Sequence, residues 1–501
     1  MGLARRDVLR LAGVAGIAAV VAGVTQACGK PAVSTPTVTT VPPPASTASP
    51  APTPTVEPTK VPPSPATLAP RPSVGNERVR IAHLLRRAGF GASQQELTRY
   101  EKMGLAATVD YLVDYENVDD GALESRLGSL NLDLTKLPDL QRWWLLRMVY
   151  TRRPLQEKMV LFWHGVLTSG NSRVARPERM WKQNELFRQQ ALGRFDVLLK
   201  AVARDPAMLV WLDSQSNRKS APNENFAREL MELFSMGPGN YTEEDVRESA
   251  RAFTGYFLNN QGFFFNTGQH DYGVKTFLGE SGPFTGDNII DIILKQAATP
   301  HFVCRKLFSF FAYETPEPEV LARLREALVN SGYSVKAAMK ELLTSEAFYS
   351  EKSYRSQTKS PVELLVGTMR TLGVETDAIG LPQLLSRMGQ SLFDPPNVAG
   401  WPGGAAWINS STLLERVNFA NRIAADRRIF KPLEALGGSG VRAPREITDY
   451  YVRLLLDGVV PAEENAIIYD YADSVVRTSD TDAALRSVAY LLLASPAYQL
   501  A

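Results

Sequence analysis

Between positions 31 and 73 the chain is almost wholly Pro, Thr, Ser, Ala and Val, with Glu57, Lys60 and Arg71 its only charges. Such a stretch has too little bulky apolar surface to bury a core, and its prolines hold the backbone in extended polyproline II. It therefore confines folding to the remainder of the chain, from about residue 76 to residue 501. At about 3.1 Å per residue, its 43 residues would hold that body up to roughly 130 Å from an anchor.

The residues before the stretch suggest what the anchor is. Arg5 and Arg6 precede an uncharged apolar run from Leu11 to Val24, and Ala27 precedes Cys28. The run is shorter than the 20 or so residues that span a bilayer comfortably. A twin-arginine leader ending at a lipid-modified Cys28 is the expectation. The expected organisation is a signal over 1–27, a disordered stalk over 28–75 and a folded body over 76–501. That layout describes an exported lipoprotein at the cell surface or in the periplasm, held to the membrane through Cys28. Thr25 and Gln26 depart from the usual lipobox, so a soluble exported protein with an incidental cysteine is the alternative. Export of an already folded chain agrees with the thiol count. With Cys28 set aside, Cys304 stands alone and no internal disulfide can form.

Charge narrows the function classes. The chain carries a formal +2, and Arg5, Arg6, Asp7 and Arg10 account for the same +2, so the mature chain is close to neutral. A nucleic-acid binder would show a basic excess, and none is expected here. No second segment is apolar enough to span a membrane.

The body reads as mainly α-helical. Leu140, Trp143, Trp144 and Met148 repeat at helical spacing over 139–150, and Pro154 opens a second helix to about residue 168. A helix is expected over 223–236, stopped by Gly237-Pro238-Gly239, and the capping-box-like Thr242-Glu243-Glu244-Asp245 starts another to 254. Further helices are expected at 286–297, 300–312, 317–330, 335–347, 361–372, 411–427, 445–457 and 479–494. The exception is 256–278, where aromatics flank Asn259-Asn260-Gln261-Gly262 and predict a small β-hairpin with an irregular loop.

Several long motifs occur in order: Phe162-Trp163-His164-Gly165, then Asn223-Glu224-Asn225-Phe226-Ala227-Arg228-Glu229-Leu230-Met231-Glu232-Leu233, then Arg251-Ala252-Phe253-Thr254-Gly255. His270-Asp271-Tyr272-Gly273-Val274-Lys275 and Phe393-Asp394-Pro395-Pro396-Asn397-Val398-Ala399-Gly400-Trp401-Pro402-Gly403-Gly404 continue the series. Together they resemble the bacterial domain-of-unknown-function family 1800, over about residues 78–500. The resemblance implies an exported, largely helical protein with no established activity. It also implies a gene-neighbour partner from domain-of-unknown-function family 1501, exported proteins that resemble sulfatases and alkaline phosphatases. It carries no catalytic residues across, so the chemistry rests on the residues themselves.

Asn225, Glu229 and Glu232 fall at i, i+4 and i+7, one polar strip beside an apolar face. Two carboxylates one turn apart suit a divalent cation or acid–base work. The structural alternatives are surface pairing, Glu224 with Arg228 included, and a buried Glu229–Arg251 ion pair joining successive helices. His270, Asp271 and Lys275 lie within six residues of each other and offer a ligand or base, a carboxylate and a cation. With Arg251 they are the catalytic candidates; the alternative is a turn in which Asp271 binds backbone amides and Lys275 is solvated. The metal-ligand candidates are His164, Glu229, Glu232, His270 and Asp271. His164 beside an apolar stripe also reads as a hydrogen-bonded core residue. Asn225, Trp401 and Trp407 are the binding candidates, the tryptophans either stacking on a sugar or plugging the core beneath a glycine-rich crossing.

These candidates support two functions of different classes. One is a metal-assisted hydrolase or transferase acting outside the membrane, with His164, Glu229, His270 and Asp271 converging on a divalent cation. The other is a non-enzymatic surface protein that binds a glycan or a partner and works with the sulfatase- or phosphatase-like neighbour.

Overall fold

In the computed structural model, which describes residues 74–435, 443–478 and 480–501, the chain is mainly α-helical with two small antiparallel ribbons. The leader, Cys28 and the Pro-rich stalk lie outside the described residues. Among the described residues no helix is long and apolar enough to cross a membrane.

Prolines and caps start the helices where the sequence places them. Pro138, Pro154 and Pro361 stand in the first turns of Leu137–Tyr150, Pro154–Val166 and Pro361–Leu372, where a missing N–H is harmless. Ser360 and Glu363 close a reciprocal capping box on the last of these, and Thr242 and Asp245 close another on Glu243–Ala252. The twelve helices read from the sequence all occur, with ends displaced by a few residues. Helix 223–236 is realised differently: Asn225–Glu229 is α-helical and Leu230–Ser235 winds as a π-helix, with Met236 N–H donating to the Met231 carbonyl.

Pro154–Val166 is the central rod. Its residues from Glu157 to His164 are all buried, and it packs against Leu137–Tyr150 and Pro177–Gln189. Pro361–Leu372 also packs on Leu137–Tyr150. Ser410–Ala425, Pro444–Leu456, Ala462–Thr478 and Thr481–Ala494 form a second group, with the last helix touching the other three.

The core is partly polar. Glu157 is 1% exposed and accepts from Trp144 Nε1 (3.1 Å), Arg147 Nε (3.2 Å) and Arg188 Nε (2.6 Å). Burial alone would raise this carboxyl, but Arg188 and Arg147 outweigh it and hold the group below the usual glutamate range. Breaking such a buried pair from one side typically costs about 3–5 kcal/mol.

The aromatic stretch forms two ribbons rather than one hairpin with a loose tail. β1 (Tyr256–Asn259) pairs with β2 (Gly262–Phe265), turned by Asn259 Oδ1 accepting from Gln261 and Gly262 N–H. β3 (Lys275–Phe277) pairs with β4 (Glu280–Gly282) and packs on Glu243–Ala252.

Candidate functional site

Helix Glu243–Ala252 separates the two polar clusters that the sequence singles out. At its first residue, Glu243 accepts from Arg228 Nη1 and Nη2, both at 2.8 Å. Near its other end Arg251 Nε donates to Asp271 at 2.7 Å, while Nη1 donates to Glu248 at 2.8 Å. Positions 243 and 251 stand about 12 Å apart along an α-helix. Arg251 therefore joins the helix to the ribbon loop, and the expected Glu229–Arg251 pair is not formed, because Glu248 and Asp271 occupy the guanidinium.

On the first side, Glu229 is half-buried and has no hydrogen bond among the described residues. Burial, reinforced by Glu232, raises its carboxyl above the usual range. Glu232 accepts from the Tyr241 hydroxyl at 2.7 Å. Asn225 is exposed, and its N–H donates to Asn223 Oδ1 at 2.9 Å. Arg228 also reaches Glu224 at 3.2 Å, the expected surface pair.

On the second side the polar groups are held firmly. His270 is 2% exposed, and its Nδ1 lies 2.9 Å from the Thr254 carbonyl. A carbonyl only accepts, so Nδ1 carries the proton and Nε2 the lone pair. Nε2 has no partner. The ring meets Phe265 and Tyr272 edge-on, at 5.1 and 4.7 Å between centroids. Burial keeps the imidazole below its usual pKa and neutral.

Asp271 takes both parts expected of it. Its Oδ1 accepts from Gly273 N–H at 2.8 Å and its Oδ2 from Arg251, which holds its pKa below the usual aspartate value. Lys275 is not solvated. It is fully buried, and its ammonium donates to the Asp271 and Gly273 carbonyls at 2.5 and 3.0 Å, closing the loop on itself. Burial lowers its pKa. Outside this frame Tyr272 is 62% and Val274 68% exposed, with Phe264 and Phe265 at 36% and 38%.

His164 belongs to the core. Arg188 Nη2 donates to Asn184 Oδ1 at 2.7 Å, so the Asn184 amide nitrogen is the atom 3.0 Å from His164 Nε2. An NH2 group only donates, which fixes Nε2 as acceptor and Nδ1 as the protonated atom. Burial, with Arg188 nearby, brings its pKa down to about 3. Trp144, Phe187 and Phe393 surround the ring.

Trp407 is buried and Trp401 half-buried, its indole N–H donating to the Ser391 carbonyl at 3.2 Å. The crossing beneath them is real. Gly400 has φ +90°, and a Cβ there would stand 2.4 Å from the Gly165 carbonyl oxygen. Trp407 therefore serves packing, and no sugar face can stack on it.

His164, Glu229 and the adjacent pair His270–Asp271 thus lie in three separate surroundings. Among the described residues no group of three or more His, Cys, Asp or Glu side chains is placed to hold a metal ion. Glu229 and Glu232 share a strip, but Glu232 is engaged by Tyr241.

Some groups escaped the sequence reading. Asp205 is buried and pushed up to about 7 by desolvation, although it accepts from Gln183 and Met208 N–H. Its signal is the Asp-Pro start of a helix, Asp205-Pro206, which shows a cap but not its burial. Lys359, Asp457 and Arg355 are buried too, and nothing in their local sequence announces it.

A family model described as a protein of unknown function (DUF1800) matches residues 83–500. No curated protein and no solved structure gives a significant match.

Proposed function

The chain belongs to the family of unknown function whose model it matches over residues 83–500, and on that premise we propose an exported, lipid-anchored surface protein that binds glycans without catalysis. The observation that carries this reading is the surface around His270: exposed rings beside a loop whose Asp271 and Lys275 side chains are pinned from beneath. Phe265 and Tyr272 flank the imidazole, and Val274 extends the apolar patch. Exposed aromatics on a rigid frame present flat, amphipathic faces to the C–H face of a pyranose. The unpartnered His270 Nε2 lies buried beneath those faces and offers a sugar hydroxyl an acceptor once a ring turns aside. Arg251 and Asp271 bind one another at 2.7 Å and are not left as free charges at its border.

Export and anchoring rest on Arg5-Arg6, the apolar run and Cys28, with the Pro-rich stalk as spacer. In this reading the sulfatase- or phosphatase-like exported protein of domain-of-unknown-function family 1501 is the partner, acting on the glycan that this chain holds.

A glycan array probed with the purified full chain, followed by calorimetry on the strongest hit, tests the reading. Phe265→Ala and Tyr272→Ala are expected to weaken binding about tenfold or more while leaving the melting temperature nearly unchanged. An array blank for the wild type overturns the glycan assignment. Binding to the neighbouring exported protein alone, sensitive to the same two substitutions, replaces it with a protein-docking role. For the anchor, metabolic labelling with a clickable fatty acid should mark the wild type and not Cys28→Ala.

A further inference from the structure

A cavity of about 30 Å³ elsewhere in the fold is lined by Arg86, Lys359, Glu363, Thr371, Asp457 and Tyr498 among others. One water needs roughly 10–15 Å³ on this measure, so the space suits a single small ion or two waters. Its walls come from Glu77–Arg87, Pro361–Leu372 and Pro444–Leu456, so the cavity lies where the C-terminal helices meet the rest.

The charges around it do not balance. Arg86, Arg87, Lys158, Arg355 and Lys359 gather about the carboxylates of Glu363 and Asp457. Both carboxylates are committed. Asp457 accepts from Arg86 Nη1 at 2.9 Å, Arg355 Nη2 at 3.1 Å and the Tyr354 hydroxyl at 2.8 Å. Glu363 binds the Lys158 ammonium and accepts from Ser360 N–H at 2.8 Å.

Lys359 is left over. It is 5% exposed, and its ammonium has no hydrogen bond or ion pair among the described residues. The Tyr498 ring face lies 3.4 Å from Nζ, while Glu363 and Asp457 line the same cavity without forming an ion pair with it. Arg86 Nε and Nη2 and Arg87 Nη1 are buried donors without acceptors as well. A buried ammonium that has a ring face but no hydrogen-bond acceptor is costly to keep charged in a protein interior.

We propose that this cavity is a binding site for one small monovalent anion of chloride size, held by the Lys359 ammonium with Arg86 at its edge. The anion completes the charge pairing between the C-terminal helices and Pro361–Leu372 and so fastens the two groups of helices together. Burial, Arg355 and Arg86 push the Lys359 pKa well below its usual value; a bound anion restores the charged form.

Thermal unfolding of the purified full chain, with sodium gluconate replaced stepwise by sodium chloride at constant ionic strength, reads the site. The expected result is a rise of roughly 3–5 °C that grows with the logarithm of the chloride concentration. Lys359→Met keeps the stem and removes the charge, and should unfold at the same temperature in either salt. A crystal soaked in bromide should show an anomalous peak within hydrogen-bonding distance of Nζ. A wild-type melting temperature indifferent to chloride, or a bromide map with water alone in the cavity, overturns the proposal. The bromide map decides the matter even if Lys359→Met fails to fold. Neither result touches the glycan-binding reading, which rests on other residues.

Discussion

At the scale of single residues, the tautomers of two histidines separate their roles. His164 accepts at Nε2 from Asn184 and is sealed in the core. His270 donates at Nδ1 to a backbone carbonyl and keeps a lone pair open toward exposed rings. In the sequence both are equal candidates for the same metal. What separates them is partners elsewhere along the chain, Asn184 for one and Thr254 for the other. Lys275 teaches the same lesson, since its acceptors are main-chain carbonyls that no side-chain pattern reveals. His164 carries a pH prediction. Its folded pKa of about 3 lies below the ordinary 6.5, so between those values the unfolded chain takes up a proton that the fold refuses. Stability is fully present above pH 6.5 and is lost as the pH falls through that window, by about 1.4 kcal/mol per pH unit. In urea titrations from pH 7 to pH 4, His164→Gln should show a slope shallower by about that amount. An unchanged slope would mean the imidazole is already charged in the fold.

At the scale of elements, helices were legible wherever apolar spacing or a cap announced them. Pro177–Gln189 shows why others were not. Its buried face is Met180, Gln183, Asn184, Phe187 and Arg188, which reads as surface although its side-chain donors are taken up by Glu157, Ser169, Asp205 and His164. A polar core disguises its helices as amphipathic in the wrong direction. The second ribbon was missed for a different reason. Its three-residue strands take their order from Glu243–Ala252, with Glu248 accepting Thr276 N–H at 3.0 Å and Asp245 accepting Leu278 N–H at 2.8 Å. Asp245 also closes the capping box with Thr242, so one carboxylate fixes both a helix start and a ribbon turn. Asp245→Ala should cost about 1–2 kcal/mol, cap and turn together. Hydrogen exchange at 275–282 should accelerate more than at 256–265. Equal acceleration of the two ribbons would show that the cap alone matters.

At the scale of the whole molecule, the C-terminal helices are tied to the rest through buried charges as well as apolar contacts. Asp457 binds Arg86 on Glu77–Arg87 and Arg355 before Pro361–Leu372. Burial would raise its carboxyl, but Arg86 and Arg355 hold it down at about 2, and Lys158 and Arg87 do the same for Glu363. Both folded values lie below the unfolded ones, 3.8 and 4.5. Their stabilisation is therefore complete above about pH 4.5 and is lost as the pH falls toward 2. Acid should loosen the C-terminal helices in that range, a change that limited proteolysis at successive pH values would register as early cleavage after residue 405. Asp457→Asn should reproduce the loosening at neutral pH, at a cost of about 3–5 kcal/mol. A variant as resistant as the wild type would place the joint elsewhere.

The open nitrogen of His270 has a kinetic meaning as well. It lies between two rings, one of them 62% exposed, and is itself shielded from solvent. A ligand that uses it must wait for a ring to turn, so capture would proceed through a gate. Observed association rates would then climb with ligand concentration only until the opening of that gate becomes limiting, and level off beyond it.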